Sequence, residues 1–328
     1  MRPFDYVRAT DAGAATAAVA GNAQARYLAG GTNLLDLMKE DVERPTRVVD
    51  ISRLPLRTIR QTATGVSIGA LATNSETANH PLIRQGYPLL TQAIVAGASG
   101  QLRNMATNGG NLLQRTRCQY FYDTAMPCNK RESGSGCGAR EGLNRIHAIL
   151  GWSEQCVATY PGDMANALVA LDAVVRVRTA DGAERTIPIA DFHRLPGDQP
   201  QRDTNLAAGE LIVAIDLPPS GFARNSHYLK VRDRASYAFA LVAVAAALDL
   251  QGGTIRQARV VLGSVAHKPW RSVEAEAALT GRPASEESFR LAGEAALREA
   301  RPLAHNDYKV ELGKRSVTRA LMRAARLA

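Results

Sequence analysis

Several things are scarce in this chain of 328 residues, and each scarcity removes a class of function. Aromatic residues make up 5% of it, and the formal charge of +9 is spread with no dense Lys/Arg run. A nucleic-acid binder needs clustered cations, usually with aromatics to stack on bases, so that class is set aside. The charge is read instead as a soluble surface suited to an acidic docking partner. The longest apolar run, AFALVAVAAAL at 238–248, is too short to span a bilayer, and its alternating Val and Ala predict a buried strand. The N-terminal MRPFDYVRATDAGAA lacks the apolar segment of a secretory signal, so none is expected on this chain. Paired C-x2-C clips and the C-x4-C-x2-C run of plant-type [2Fe–2S] proteins are absent as well.

Cysteine is confined to four positions, 118, 128, 137 and 156, in the spacing C-x9-C-x8-C-x18-C. Scattered structural thiols would rarely fall so close together. The grouping admits two disulfides, a zinc site or an iron–sulfur cluster.

Around that segment the chain reads as layered strands and helices. FDYVRA, ARYLAG, TRVVDIS and GVSIGAL are strand candidates, with helix predicted in DAGAATAAVAG, TNLLDLMKEDV (Thr32 near its cap) and PLIRQGYPLLTQAIVAGA. From 115 to 157 the periodicity breaks, in a segment with ESGSGCG and all four cysteines. Regular structure resumes with helix in DMANALVALDA and strands in AVVRVRT and LIVAIDLP, and PGDQPQRDTNLAAGE at 196–210 is a polar loop. Beyond about residue 220, strands HYLKVRDR, 238–250 and QARVVLGSVA precede three helical stretches, which predicts an α+β C-terminal domain.

Two glycine turns carry the chemistry. YLAGGTNLLDLMK (27–39) runs strand, Gly-Gly, helix, and ATNGGNLL (106–113) repeats the recipe. Glycines let backbone N–H groups approach an anion, the helix start adds donors, and Thr and Asn add side-chain hydrogen bonds. One such turn is ordinary; two are best explained by one diphosphate held between them. Asp50 stands about 20 residues after Gly30, where a Rossmann acid would, but AGGTNL is not G-x-G-x-x-G, so Asp50 is read as a strand-end or capping residue.

Together with YPGDMANALVALDAVV, GELIVAIDLP, YLKVRDRASYAFALVAVAAAL and VAHKPWRSVEAEAALTG, these turns resemble, nearly end to end and in order, the FAD-binding subunits of molybdenum hydroxylases, the xanthine dehydrogenase and carbon monoxide dehydrogenase group. The resemblance implies an α+β fold. Two α/β subdomains of the PCMH type, about 1–57 and 58–220, clasp FAD, and a C-terminal domain of the CO dehydrogenase flavoprotein kind occupies 221–328. It implies FAD contacts from Arg26, from Leu28, Ala29, Gly30, Gly31, Thr32, Asn33 and Leu34 around the diphosphate, and from Thr107, Gly110, Asn111 and Gln114 on the opposite wall. Asp163 would bind ribityl or ribose hydroxyls, Ile212 would pack on the ring system, and Lys230 would reach the flavin's polar edge. Gly97 stands where xanthine dehydrogenase has a Phe against the flavin, which leaves the ring face open or covered by another residue, with YFYD (120–123) a candidate cover, and an NAD site is not carried over.

The inserted segment, RTRCQYFYDTAMPCNKRESGSGCGA with WSEQC, resembles the subgroup of bacterial periplasmic aldehyde oxidoreductases, whose flavin subunit also holds a [4Fe–4S] cluster. Cys118, Cys128, Cys137 and Cys156 are accordingly expected as its ligands. Thiolate–metal bonds would also explain a segment with so little apolar periodicity. Lys130, Arg131 and Arg140 either offset the cluster's negative charge or simply face solvent, and His147 is read as a hydrogen-bonding residue. No catalytic acid, base or nucleophile is assigned. The resemblance implies one subunit of a heterotrimeric aldehyde oxidoreductase, whose FAD takes electrons from molybdenum on a large subunit, across [2Fe–2S] clusters on a small one, and passes them to an external acceptor. The alternatives are the flavin subunit of a purine or aromatic acyl-CoA hydroxylase or reductase, and a non-redox zinc-stapled interaction module. A periplasmic location by co-export with a signal-bearing partner is expected, the alternative being cytoplasmic.

Overall fold

A computed structural model describes residues 1–327. The first unit is a small parallel sheet with helices. Strands β1 (Asp5–Arg8), β2 (Ala25–Leu28) and β3 (Arg47–Asp50) pair in the order β1-β3-β2. The crossovers are helix α1 (Ala12–Val19), capped by the Asp11 carboxylate, and α2 (Leu34–Lys39). Val48 and Val49 are fully buried on β3, the central strand. Asp50 ends that strand, as its sequence context predicts, accepting from Tyr6 Oη, from Arg8 Nε at 3.3 Å and from the Ser52 N–H at 2.9 Å.

The second unit holds a five-stranded antiparallel sheet. Its strands are β4 (Ile59–Thr62), β5 (Gly65–Gly69), β6 (Val174–Arg178), β7 (Glu184–Pro188) and β8 (Leu211–Leu217), in the order β4-β5-β8-β6-β7. Between β5 and β6 lie α3 (Asn74–Asn79), α4 (Pro81–Gly86), α5 (Pro88–Ala96), α6 (Gly100–Met105), α7 (Asn108–Leu112), α8 (Gln119–Tyr122) and α9 (Asp163–Ala170), and α10 (Ile189–Phe192) follows β7. The stretch expected as one helix over 81–98 is two, because Pro88 cannot continue the first and starts the second at its first position. Every residue of α9 is buried, since the helix sits between this sheet and the next.

The third unit is an antiparallel sheet, β9 (Ser226–Val231), β10 (Val242–Gln251), β11 (Thr254–Gly263) and β12 (Trp270–Arg271), in the order β12-β11-β10-β9. Helices α11 (Val273–Leu279), α12 (Glu286–Ala296) and α13 (Tyr308–Ala324) cover one face. The apolar run is a buried strand, as expected: Val242 to Leu248 lie almost wholly out of solvent, odd and even positions feeding different cores. No helix among the described residues is long and apolar enough to cross a membrane.

Residues 123–162 contain no helix or strand, only short bridges such as Cys128 to Cys137 and Ser153 to Cys156. Around the cysteines the buried apolar set is small, Cys118, Cys128 and Cys156 with Leu37, Phe121, Ala139, Val157 and Ala158, while Ile149 and Leu150 pack into the core of the third unit. Polar clamps tie the segment down. The Lys309 ammonium on α13 donates to the carbonyls of Ile146, His147 and Ser264, and Asn306 donates to those of His147 and Ala148.

Candidate functional site: a cofactor cleft and a thiol pocket

A cleft of about 730 Å³ opens where the three units meet. One wall is the turn before α2, supplying Thr32, Asn33 and Asp36. The other comes from the ends of α5, α6 and α7, with Gly97, Arg103, Gly110, Asn111 and Gln114, and the floor from Asp163, Met164 and Lys230. The two glycine turns are pressed together. A Cβ on Gly30 would lie 2.0 Å from the Met105 carbonyl oxygen, so any side chain there would push the turn from its neighbour. The N–H groups of Gly30, Gly31, Thr32 and Asn33 find no protein acceptor among the described residues. Asn33, rather than Thr32, occupies the N-cap position of α2. Its Oδ1 accepts from the Arg115 N–H at 2.9 Å, which leaves the buried Nδ2 without a partner. A buried donor such as Asn33 Nδ2 costs free energy unless something accepts from it, and with the four free amides beside it the turn fits an anionic, oxygen-rich group.

A chain of carboxamides stiffens the opposite wall. Gln114 Nε2 donates to Asn111 Oδ1 at 3.1 Å, Asn111 Nδ2 to Asn74 Oδ1 at 2.9 Å, Asn74 Nδ2 to Asn108 Oδ1 at 3.0 Å, and Asn108 Nδ2 to Thr77 Oγ1 at 2.7 Å. Asn74 and Asn108 escaped sequence reasoning. Their signal was present only as polar residues at helix starts, which ordinarily read as caps. Thr107 caps α7, its Oγ1 accepting from the Gly110 N–H at 3.3 Å.

Asp163 and Lys230 meet on the floor as an ion pair. Lys230 Nζ lies 2.7 Å from Asp163 Oδ2 and donates also to the Ala96 carbonyl at 3.1 Å, while Tyr228 Oη donates to Asp163 Oδ1 at 2.8 Å. Burial, and then the adjacent Asp163 charge, drive the Tyr228 phenol well above its ordinary value, so it stays a donor. Gly97 faces this pair: a Cβ there would come within 3.1 Å of Asp163 Oδ2. The candidate aromatic cover from YFYD is not there. Phe121 is buried in the insertion, stacked under the Arg115 guanidinium, and Tyr122 bonds to Asp36 and Arg117. The aromatics that do line the cleft are Tyr237 and Phe239, both about half exposed, on the loop before β10.

Of the residues assigned to FAD, Thr32, Asn33, Gly110, Asn111, Gln114, Asp163 and Lys230 line the cleft. Leu28, Ala29, Gly30, Gly31 and Leu34 form the turn behind Thr32 and Asn33. Ile212 sits on buried β8 beneath Gly109. Arg26 lies outside the cleft, bonding to the carbonyls of Ala23 and Ala25 and 3.5 Å from Glu43 Oε2.

All four cysteines line a second pocket, and it shares Thr116 and Cys118 with the cleft. They are free thiols, three of them buried. Burial pushes the thiols of Cys118 and Cys156 up to about 12, a penalty that a bound cation would have to overcome. Lys130, read in sequence as either offsetting a cluster's charge or facing solvent, is buried against the thiol pocket and donates to the Pro200 carbonyl at 2.7 Å and to Asp203. Burial alone would raise the Asp203 carboxyl, but Lys130 and Arg115 outweigh it and hold it below the usual carboxylate range. Arg131 donates to four carbonyls of the segment and Arg140 pairs with Glu154. His147 is buried, its Nε2 3.1 Å from Cys118 Sγ. Burial, and then Lys309, bring its imidazole down to about 4.

Comparisons with known proteins bear on both cavities. Residues 2–220 match the family model described as the FAD binding domain in molybdopterin dehydrogenase, and residues 227–324 that of the CO dehydrogenase flavoprotein C-terminal domain. The chain is 48% identical to the aldehyde oxidoreductase FAD-binding subunit PaoB of Escherichia coli, across 99% of each chain. It is 29% identical to the glyceraldehyde dehydrogenase medium chain of Sulfolobus acidocaldarius, over 85% of this chain and 82% of that one. Among solved structures, carbon monoxide dehydrogenase of Hydrogenophaga pseudoflava superposes with a TM-score of 0.78 at 26% identity, covering 99% of this chain and 98% of that one.

Proposed function

The chain belongs to the family of FAD-binding domains of molybdopterin dehydrogenases, and from that premise we propose that it is the electron-transfer flavoprotein subunit of a molybdenum-dependent aldehyde oxidoreductase. The observation that carries the cofactor part is the row of unmatched donors, the amides of 30–33 with Asn33 Nδ2, opening onto a cleft walled opposite by Asn111 and Gln114. The aldehyde part is supported by 48% identity over 99% of the chain to the FAD-binding subunit of an aldehyde oxidoreductase.

Bound FAD supplies the electron chemistry. The chain's own residues bind, orient and shield. The 30–33 turn and Thr107–Asn111 receive the diphosphate, Asn111 and Gln114 fix its orientation, and Asp163 accepts from sugar or ribityl hydroxyls while Lys230 holds the carboxylate in place. A cation tied to Asp163 and the Ala96 carbonyl cannot swing freely, so Lys230 presents its charge at a fixed point of the cleft. Tyr237 and Phe239 flank the opening, where an external acceptor would approach.

The same proposal places a [4Fe–4S] cluster on Cys118, Cys128, Cys137 and Cys156. Its support is the donor set: four thiols lining one pocket, in a segment with almost no other core. The chain would work beside a large molybdenum-cofactor subunit and a small [2Fe–2S] subunit, and reach the periplasm bound to whichever carries the export signal. The purified complex tests the reading. It should contain one FAD per chain, and four irons with four acid-labile sulfides attributable to this subunit beyond those of the small one. Protein carrying zinc and no flavin would establish the interaction module instead.

A further inference from the structure

We propose that His147 is a positioning residue for the thiol site, donating a hydrogen bond through Nε2 to the sulfur of Cys118 and so setting the electron density on the thiolate nearest the flavin cleft. The inference rests on the cluster reading above. Three observations carry it. Cys118 is the one cysteine that lines both the cleft and the thiol pocket. Among the described residues its sulfur is also the only one with a side-chain hydrogen-bond partner, His147 Nε2 at 3.1 Å. The backbone that carries the imidazole, finally, is held in place, while the ring's Nδ1 is buried without a partner. The His147 N–H donates to the Asn144 carbonyl at 3.0 Å, and its own carbonyl accepts from Lys309 Nζ at 2.9 Å and Asn306 Nδ2 at 3.2 Å. Side chains from the C-terminal helical region thus fix a donor on a sulfur at the wall between two cavities.

Hydrogen bonds to a ligating sulfur withdraw charge from it and favour the reduced form of a cluster. The donor is preorganised, since its backbone cannot shift without breaking the Lys309 and Asn306 contacts. Backbone N–H groups also reach Cys118 and Cys156, but among the described residues only Cys118 has a side-chain donor as well, so the extra polarisation falls on the cleft side of the cluster. That asymmetry suits a centre that exchanges electrons across the Cys118 wall, and it would be pointless in a purely structural staple.

The test uses the assembled enzyme with His147→Leu and His147→Gln, since Gln restores an N–H donor of similar reach and Leu does not. The readouts are iron and sulfide content, FAD content, and the potentiometric midpoint of the cluster followed by its electron paramagnetic resonance signal. The Leu variant should keep its FAD and show a more negative cluster midpoint, roughly a tenfold change in the oxidised-to-reduced ratio, or about 59 mV for one electron. The Gln variant should recover most of that shift. Loss of iron from the Leu variant alone also supports the role. An unchanged midpoint in an iron-replete Leu variant overturns it, and so does a Gln variant that matches Leu in midpoint or also loses its iron. Wild-type enzyme without the extra four irons would fail the cluster reading itself, a separate outcome visible before any variant is made.

Discussion

The cleft and the thiol pocket share a wall, Thr116 and Cys118, yet their frames are of opposite kinds. The cleft is assembled mostly from ends of regular elements: the start of α2, the ends of α5 and α6, α7, the start of α9 and Lys230 near the end of β9. Of these, α5, α7, α9 and β9 are anchored in two large apolar cores, whereas α2 buries Leu37 among the cysteines. The thiol pocket lies in a segment with no strand, whose buried set is a handful of residues with the cysteines themselves among them. What holds it is polar: Lys130 on Asp203, Arg115 between Asp203 and Glu43, Lys309 and Asn306 on backbone carbonyls. A domain can thus carry one site on hydrophobic scaffolding and an adjoining one on ion pairs and ligands. The second kind is expected to be the more fragile.

That contrast can be broken or sharpened by substitution. The largest effect is expected from Cys128→Ser, which should strip the iron from this subunit and expose 123–156 to protease, while FAD stays bound. Iron and flavin analysis with limited proteolysis checks this, and joint loss of FAD would show that the two frames are not separable. Next comes Lys130→Met. It strands the Asp203 carboxylate with Arg115 alone and should cost about 3 kcal/mol, the lower end for breaking a buried pair because Asp203 keeps some solvent contact. The midpoint of urea unfolding reads it, and a variant as stable as the parent would mean that the ion pair does not hold the segment. The smallest of the three is Gly30→Ala. Its Cβ must displace the Met105 carbonyl, at a cost of about 1–3 kcal/mol for an overpacked contact. That corresponds to FAD binding weakened roughly ten- to a hundredfold, measurable by flavin fluorescence, with iron content unchanged.

The regular elements were legible in the sequence because each carries its own signal. The Ala-rich α1, the Gly-Gly turn before α2, the alternating β10 and the helices of the last sixty residues follow from local periodicity and capping. The helix start in ATNGGNLL was read from its glycine turn as well, but the short α6 was not, since six residues such as GQLRNM give no period to read. Tyr237 and Phe239 were missed as cleft residues for another reason. Phe239 lies inside the apolar run read as strand and Tyr237 just before it, and only the position where pairing begins, at Val242, leaves both outside the sheet.

By itself the sequence determined the two glycine turns, the four thiols confined to one excursion, and the order of sheets and helices, because spacing and composition are properties of the chain. Only the tertiary structure decided that Cys118 belongs to both cavities, that His147 touches its sulfur, that Asp163 and Lys230 face each other, and that Lys130 is buried rather than solvated. Those facts depend on segments from 29 to 73 positions apart meeting at one wall. Local sequence carries no record of such meetings, since they follow from the packing of three separate sheets.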